Sequence, residues 1–115
     1  MKDENLYLIK VFNKNESFYK IGVTVHRYCR FYEIMKSGYN VEIVYMIMGI
    51  EPSKAMNLEC ELHKNFKINS YLPLNKFGGY RECFSYIDID EYKSLTNDIL
   101  KNSISLVENI LISWR

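Results

Sequence analysis

The chain has 115 residues, a formal net charge of +1, 48% apolar residues and 15% aromatic residues. That length suits one domain with one core across residues 1–115, and the apolar content excludes a disordered chain. The charge excludes a protein that coats nucleic acid by bulk positive charge, but not one with a local basic groove.

Three cysteines, Cys29, Cys60 and Cys83, form no C-x-x-C pair. Neither a zinc knuckle nor a disulfide framework is expected, and free thiols suit a reducing cytoplasm. The opening Met1-Lys2-Asp3-Glu4-Asn5 is polar and mixed in charge, unlike a secretory signal. The longest apolar run, 43–48, is too short to span a bilayer, so no membrane partner is expected.

Residues 6–12 are rich in aliphatic, β-branched and aromatic side chains and predict a strand. Tyr7, Ile9 and Val11 share one face and Leu6, Leu8 and Phe12 the other, so both faces should be covered. A polar turn at 13–17 leads to a second strand at 18–24, and the short connection predicts an antiparallel hairpin. His26 to Ser37 reads as a helix with Tyr28, Phe31, Tyr32 and Met35 as its buried stripe, stopped at Gly38. Arg30 lies beside that stripe, near the helix start.

Residues 41–48 predict a third strand, central or next to the hairpin, ended by Gly49. Pro52 suits the first turn of a helix running from Ser53 to about Lys67, with Ala55, Leu58, Leu62 and Phe66 as its stripe. Glu59 and His63, four apart, share a face; Glu61 turns to another side. Residues 70–79 read as loop and 82–87 as a short edge strand. Asp88 or Asp90 should cap a last helix from about 90 to 114, with Tyr92, Leu95, Ile99, Leu106 and Ile110 inward. The expected fold is α+β: a small, largely antiparallel three-stranded sheet, hairpin plus central strand, flanked by helices.

The most informative stretch is Phe18-Tyr19-Lys20-Ile21-Gly22-Val23-Thr24, with Arg30 eight residues after Gly22. A strand that ends at a glycine turn and feeds a helix can present backbone N–H groups to a phosphate. On its own this pattern is common. Read with Leu6-Tyr7-Leu8-Ile9 before it and Leu58-Glu59 after it, it resembles the GIY-YIG nuclease superfamily, in particular a compact phage and viral branch whose second motif is Tyr-Lys-Ile-Gly-x-Thr. The resemblance covers roughly residues 5–87. Asn5-Leu6-Tyr7 stands where the family has Gly-Ile-Tyr, and Lys20-Ile21-Gly22 where it has Tyr-Ile-Gly. Arg30 matches the helix arginine, and Leu58-Glu59 the helix glutamate. Leu62-His63-x-x-Phe66 and Gly79-Tyr80-Arg81-Glu82-Cys83-Phe84 fit the branch, and Asn75 matches an asparagine that follows the helix in many members. Two positions depart from the pattern: Asn5 replaces the leading glycine, and Lys20 replaces a tyrosine. Tyr19 cannot substitute for that tyrosine, because a one-residue offset turns its side chain to the other face.

The resemblance implies a metal-dependent DNA endonuclease. Tyr7 would be the general base. A free phenol keeps its proton until about pH 10, so cations must lie close to it; Lys20 and Arg30 are the candidates. Arg30 would hold phosphate oxygens, and Glu59 would hold Mg2+ or Mn2+ to stabilise the leaving oxygen. Tyr19, Gly22, Thr24, His63 and Asn75 would contact substrate, and Glu61 is the alternative metal ligand if the helix register shifts. DNA is the expected partner, with a protein partner or a homodimer left open. The alternative function is a catalytically inactive module of the same fold that binds nucleic acid or protein. Without the resemblance, Tyr7 and Tyr19 read as packing residues, Lys20 as a wet strand position, Arg30 as a surface charge beside Glu33, Glu59 as a surface carboxylate and His63 as a hydrogen-bonded structural histidine.

Overall fold

The computed structural model describes residues 2–113, with side chains described up to residue 101 apart from Arg27. Strands β1 (Glu4–Phe12) and β2 (Ser17–Thr24) form an antiparallel hairpin that pairs Tyr7 with Gly22 and Ile9 with Lys20. Its turn is held by Asn13, whose Oδ1 accepts the N–H groups of Asn15 and Glu16. Helix α1 (Arg27–Lys36), strand β3 (Asn40–Ile50) and helix α2 (Pro52–Asn65) follow. A 3₁₀ turn (Lys67–Asn69), strands β4 (Ser70–Tyr71) and β5 (Cys83–Phe84) and helix α3 (Ile89–Ser113) complete the order. The sheet order is β3-β1-β2-β5-β4, with every pairing antiparallel. The class is α+β, as expected.

The sheet has five strands rather than three. The third strand lies next to the hairpin, one of the two expected positions, and is not central: β3 pairs with β1 at the sheet edge. Most of β3 is half-buried or exposed. Nor does it stop at Gly49. The register with β1 shifts between Glu4 and Leu6 and again between Leu8 and Ile9, each time with an extra residue on β3. Gly49, at φ 75°, takes up the first of these bulges, and the strand runs on to Ile50. Cys83–Phe84 is not an edge either, because β4 from the expected loop lies outside it. Strands of two residues are too short to show a period of two, and only tertiary pairing reveals them.

The sheet is covered on both faces. Leu6, Leu8 and Ile21 meet Ala55, Leu58 and Leu62 of α2, Phe66 just past its end and Tyr92 of α3 on one face. Tyr7, Ile9, Val11 and Phe18 meet Phe31 and Ile34 of α1, with Tyr39 and Phe77, on the other. The stripes of β1 and α2 are therefore as expected. That of α1 is not: Tyr28, Tyr32 and Met35 are 76%, 60% and 47% exposed, while Phe31 and Ile34 are buried. The helix is rotated from the expected register because a narrow Phe31–Ile34 line fills the space over Tyr7 and Ile9. Phe31 packs edge-on against the Tyr7 ring, 5.2 Å between centroids.

Asp88 Oδ1 accepts the Glu91 N–H at 3.1 Å, so Asp88 rather than Asp90 caps α3. Tyr92 is buried, and Leu95 and Ile99 pack beside it. The side chains of Leu106 and Ile110, and Trp114 as the expected helix end, lie outside the described residues. Among the described residues no helix is long and apolar enough to cross a membrane.

Candidate active site

Tyr7 and Lys20 point from neighbouring strands to the same face of the sheet. Lys20 is buried, 2% exposed, not the wet strand position it resembles in sequence. Its Nζ donates a hydrogen bond to Tyr7 Oη at 2.8 Å and lies 3.6 Å from Glu82 Oε2. An ammonium this deep requires such partners. Gly22, paired with Tyr7, provides the room. A Cβ there would sit 2.6 Å from Tyr7 Cζ and 3.0 Å from Lys20 Nζ.

The rotation of α1 carries Arg30 onto the line of Ile34, toward the end of the hairpin. Its guanidinium is half-exposed, 3.8 Å from Glu33. The loop after β4 roofs this corner. Gly79, at φ 81°, passes so close that a Cβ would lie 3.0 Å from Lys20 Nζ.

That loop is tied down by Glu16. The Glu16 carboxylate accepts the phenol protons of Tyr39 and Tyr71, each at 2.6 Å, and the Leu74 N–H at 3.2 Å. Burial opposes its ionisation, but these hydrogen bonds outweigh burial and hold the carboxyl below its ordinary range. Tyr39 moves the opposite way: burial, with donation to Glu16, pushes it up to about 12.

On the other face, α2 completes an unfinished strand edge. β5 pairs with β2 only at Tyr19 and Lys20, so the polar backbone beyond has no strand partner there. Glu59 Oε2 accepts the Val23 N–H at 3.0 Å, and His63 Nε2 lies 2.9 Å from the Ile21 carbonyl. A carbonyl can only accept, so Nε2 donates to it, and Nδ1 is the ring nitrogen not engaged by this bond. Burial, with the Glu82 carboxylate nearby, raises Glu59 above its ordinary value, against the opposing pull of His63 and Lys20. One ligand atom each of Glu59, His63 and Glu82 lies within 4.8 Å of the others.

Tyr7, Lys20, Arg30 and Glu59 line one cleft of about 200 Å³ with Val23, Gly79 and Glu82. The four expected catalytic residues thus converge. The expected substrate contacts do not all join them. Tyr19 packs on the α2 face of the sheet. Gly22 is buried beneath the Tyr7 phenol. Thr24 Oγ1 accepts the His26 N–H, shaping the entry to α1. Asn75 Nδ2 donates to the Ser37 carbonyl, and its N–H donates to Tyr39 Oη, which serves the loop anchor. Glu61 is exposed and 3.8 Å from Lys64, so the alternative ligand points away. His63 does reach the site, beside Glu82, and lines an adjoining cleft with Lys64, Lys67 and Arg81.

Glu82 carries no role in the sequence reading beyond its place in a motif. Its signal is indirect: a lysine inside a strand needs an anion, and Glu82 precedes Cys83, which pairs with Lys20. Cys83 is buried, which pushes its thiol up to about 12. Cys29 and Cys60 are exposed, and none of the three is in a disulfide. In comparisons with protein families, curated proteins and solved structures, none matches this chain.

Proposed function

We propose that the protein is a metal-dependent endonuclease of the GIY-YIG kind that hydrolyses DNA phosphodiesters in the reducing interior of a cell. The observation that carries this reading is the convergence of Tyr7, Lys20, Arg30 and Glu59, from four separate elements, on one cleft.

Phosphodiester hydrolysis needs an activated water, charge neutralisation on the phosphate and a route for the leaving oxygen. Tyr7 Oη removes the proton from the attacking water. Lys20, donating to Oη at 2.8 Å, stabilises the negative charge the phenol oxygen must carry to do so. Lys20 thus fills the part a second tyrosine takes in the related pattern. The Arg30 fork, half-exposed at the cleft mouth, takes two phosphate oxygens and stabilises the charge that builds on them. Glu59 offers a carboxylate oxygen to Mg2+ or Mn2+, which when bound supplies positive charge to the departing oxygen. Lys64, Lys67 and Arg81 in the adjoining cleft offer positive charge to the flanking backbone.

The test is plasmid cleavage with magnesium or manganese, comparing the parent with Glu59→Ala and Arg30→Ala. Loss of cleavage in both folded variants is the expected result. A folded parent that does not cut across pH and metals overturns the reading. One feature favours a second reading, a nucleic-acid-binding module: both cleft cations already face carboxylates of the chain, Lys20 with Glu82 and Arg30 with Glu33. Salt-dependent DNA binding without cleavage would establish it.

A further inference from the structure

We infer that Glu59, His63 and Glu82 together form one divalent-cation site, with two carboxylate oxygens and the His63 Nδ1 as ligands, and that this site prefers Mn2+ to Mg2+.

Three features carry this. The first is proximity: one ligand atom of each residue lies within 4.8 Å of the others, which a single ion can bridge. The second is that each side chain is held through one of its polar atoms and keeps another to offer. Glu59 Oε2 is engaged by the Val23 N–H, leaving Oε1. His63 Nε2–H is engaged by the Ile21 carbonyl, leaving Nδ1. Glu82 Oε2 faces the Lys20 ammonium, leaving Oε1. This is how metal ligands are oriented in general: the outer atom is fixed by backbone or charge and the inner lone pair is aimed. The third is backbone placement. Glu59 and His63 sit one turn apart on α2 and are pinned to alternate residues of β2, while Glu82 directly precedes β5. Neither loop motion nor a long flexible stem is needed to assemble the set.

The donor set decides the metal. Magnesium favours oxygen ligands and keeps several waters. An imidazole nitrogen beside two carboxylates shifts preference to first-row transition ions, and manganese accepts both donor types. Three protein ligands leave positions for water and for a phosphate oxygen. Lys20 contacts Glu82 from the cleft side, so the ion would sit where the Tyr7–Arg30 cleft meets the basic cleft of Lys64, Lys67 and Arg81.

The inference deepens the nuclease reading, which assigns the ion to Glu59, but its test does not use cleavage. Mn2+ is titrated into the full, unmutated chain and followed by electron paramagnetic resonance, with electron spin-echo modulation of the bound ion. One Mn2+ per chain, a coordinated imidazole ¹⁴N signal and weaker competition by Mg2+ are expected. Glu82→Gln, isosteric and at a partly exposed position, should weaken Mn2+ by about tenfold or more while the chain still unfolds cooperatively. His63→Gln should remove the nitrogen signal. A bound Mn2+ without nitrogen coupling, a Glu82→Gln affinity within about twofold of the parent, Mg2+ binding as tight as Mn2+, or no Mn2+ binding each overturns the inference. Nitrogen-coupled Mn2+ in a chain that cuts no DNA would keep the site and discard the nuclease. Cleavage by a chain without nitrogen coupling would do the reverse.

Discussion

Lys20 Nζ donates to Tyr7 Oη at 2.8 Å across neighbouring strands, with both side chains buried. The contact exists because β1 and β2 pair Tyr7 with Gly22, not with Lys20. The lysine sits one side-chain step along the same face, and the glycine leaves its stem and the phenol space to meet. A strand lysine that looks solvated in sequence thereby becomes a cation in contact with the proposed base.

The pair makes Lys20 separable from the fold. Removing one partner of a buried ion pair is costly when the other charge stays buried, but Glu82 is 43% exposed and water can replace the ammonium beside it. Lys20→Met should therefore stay folded, with a melting temperature near that of the parent. Its cleavage rate should fall by about 10²–10⁴, the usual span for loss of acid–base assistance, and its pH–rate profile should move to higher pH. Steady-state cleavage of a short duplex across pH 6–10 measures this. An unchanged rate and profile would remove Lys20 from the mechanism.

Gly22 should not tolerate a side chain. Its Cβ would lie 2.6 Å from Tyr7 Cζ, so the phenol must move or the strands part. Gly22→Ala is expected to cost about 1–3 kcal/mol, the usual range for overpacking, and to lower cleavage together with stability. Urea unfolding of the variant gives the first quantity. A fully stable and fully active Gly22→Ala would show that Tyr7 does not occupy this position.

Glu16 predicts acid sensitivity. Its folded-state carboxyl is held below the ordinary value, so its contribution is fully present above the unfolded value of about 4.3. That contribution is lost as pH falls from there through the folded value. The parent should thus lose stability as pH falls below the ordinary carboxyl value more steeply than Glu16→Gln, which keeps an acceptor but not the charge. Melting temperatures taken at half-unit intervals test the sign. Because Glu16 anchors the loop that roofs the cleft, Glu16→Ala should also reduce cleavage without touching a cleft residue.

Glu59 predicts the opposite sign. Burial and the neighbouring Glu82 raise it, so its ionised form costs the folded chain stability at neutral pH in the absence of a cation. That cost is absent below the ordinary carboxyl value and develops as pH rises through the raised one. Glu59→Gln, whose amide oxygen can still accept the Val23 N–H, should melt a few degrees higher than the cation-free parent at pH 7. Millimolar Mn2+ should raise the melting temperature of the parent and not that of Glu59→Gln. Thermal melts with and without a chelator decide both points.

Much of this protein was readable from its residues alone. The alternation in 6–12 placed Tyr7 with Ile9 and Val11, and that face is the one observed. The four-residue step on α2 placed Glu59 with His63 and away from Glu61, as found. Pro52 marked one helix start, and Asp88 was one of two candidates for another. These features are local: a period of two, a period of 3.6, or a residue whose backbone chemistry suits one position. What depends on contact between distant segments was not readable. The burial of Lys20, the Glu16 clamp on Tyr39 and Tyr71, the turning of α1 onto Phe31 and Ile34, and the arrival of Glu82 beside Glu59 all arise from packing across the sheet. Strands β4 and β5 are set by their partners rather than by their own two residues. Local sequence determined which side chains share a face, because that is a matter of backbone geometry over a few residues. Only the tertiary structure decided which faces meet, because that is a matter of filling space and pairing charge between elements far apart in the chain.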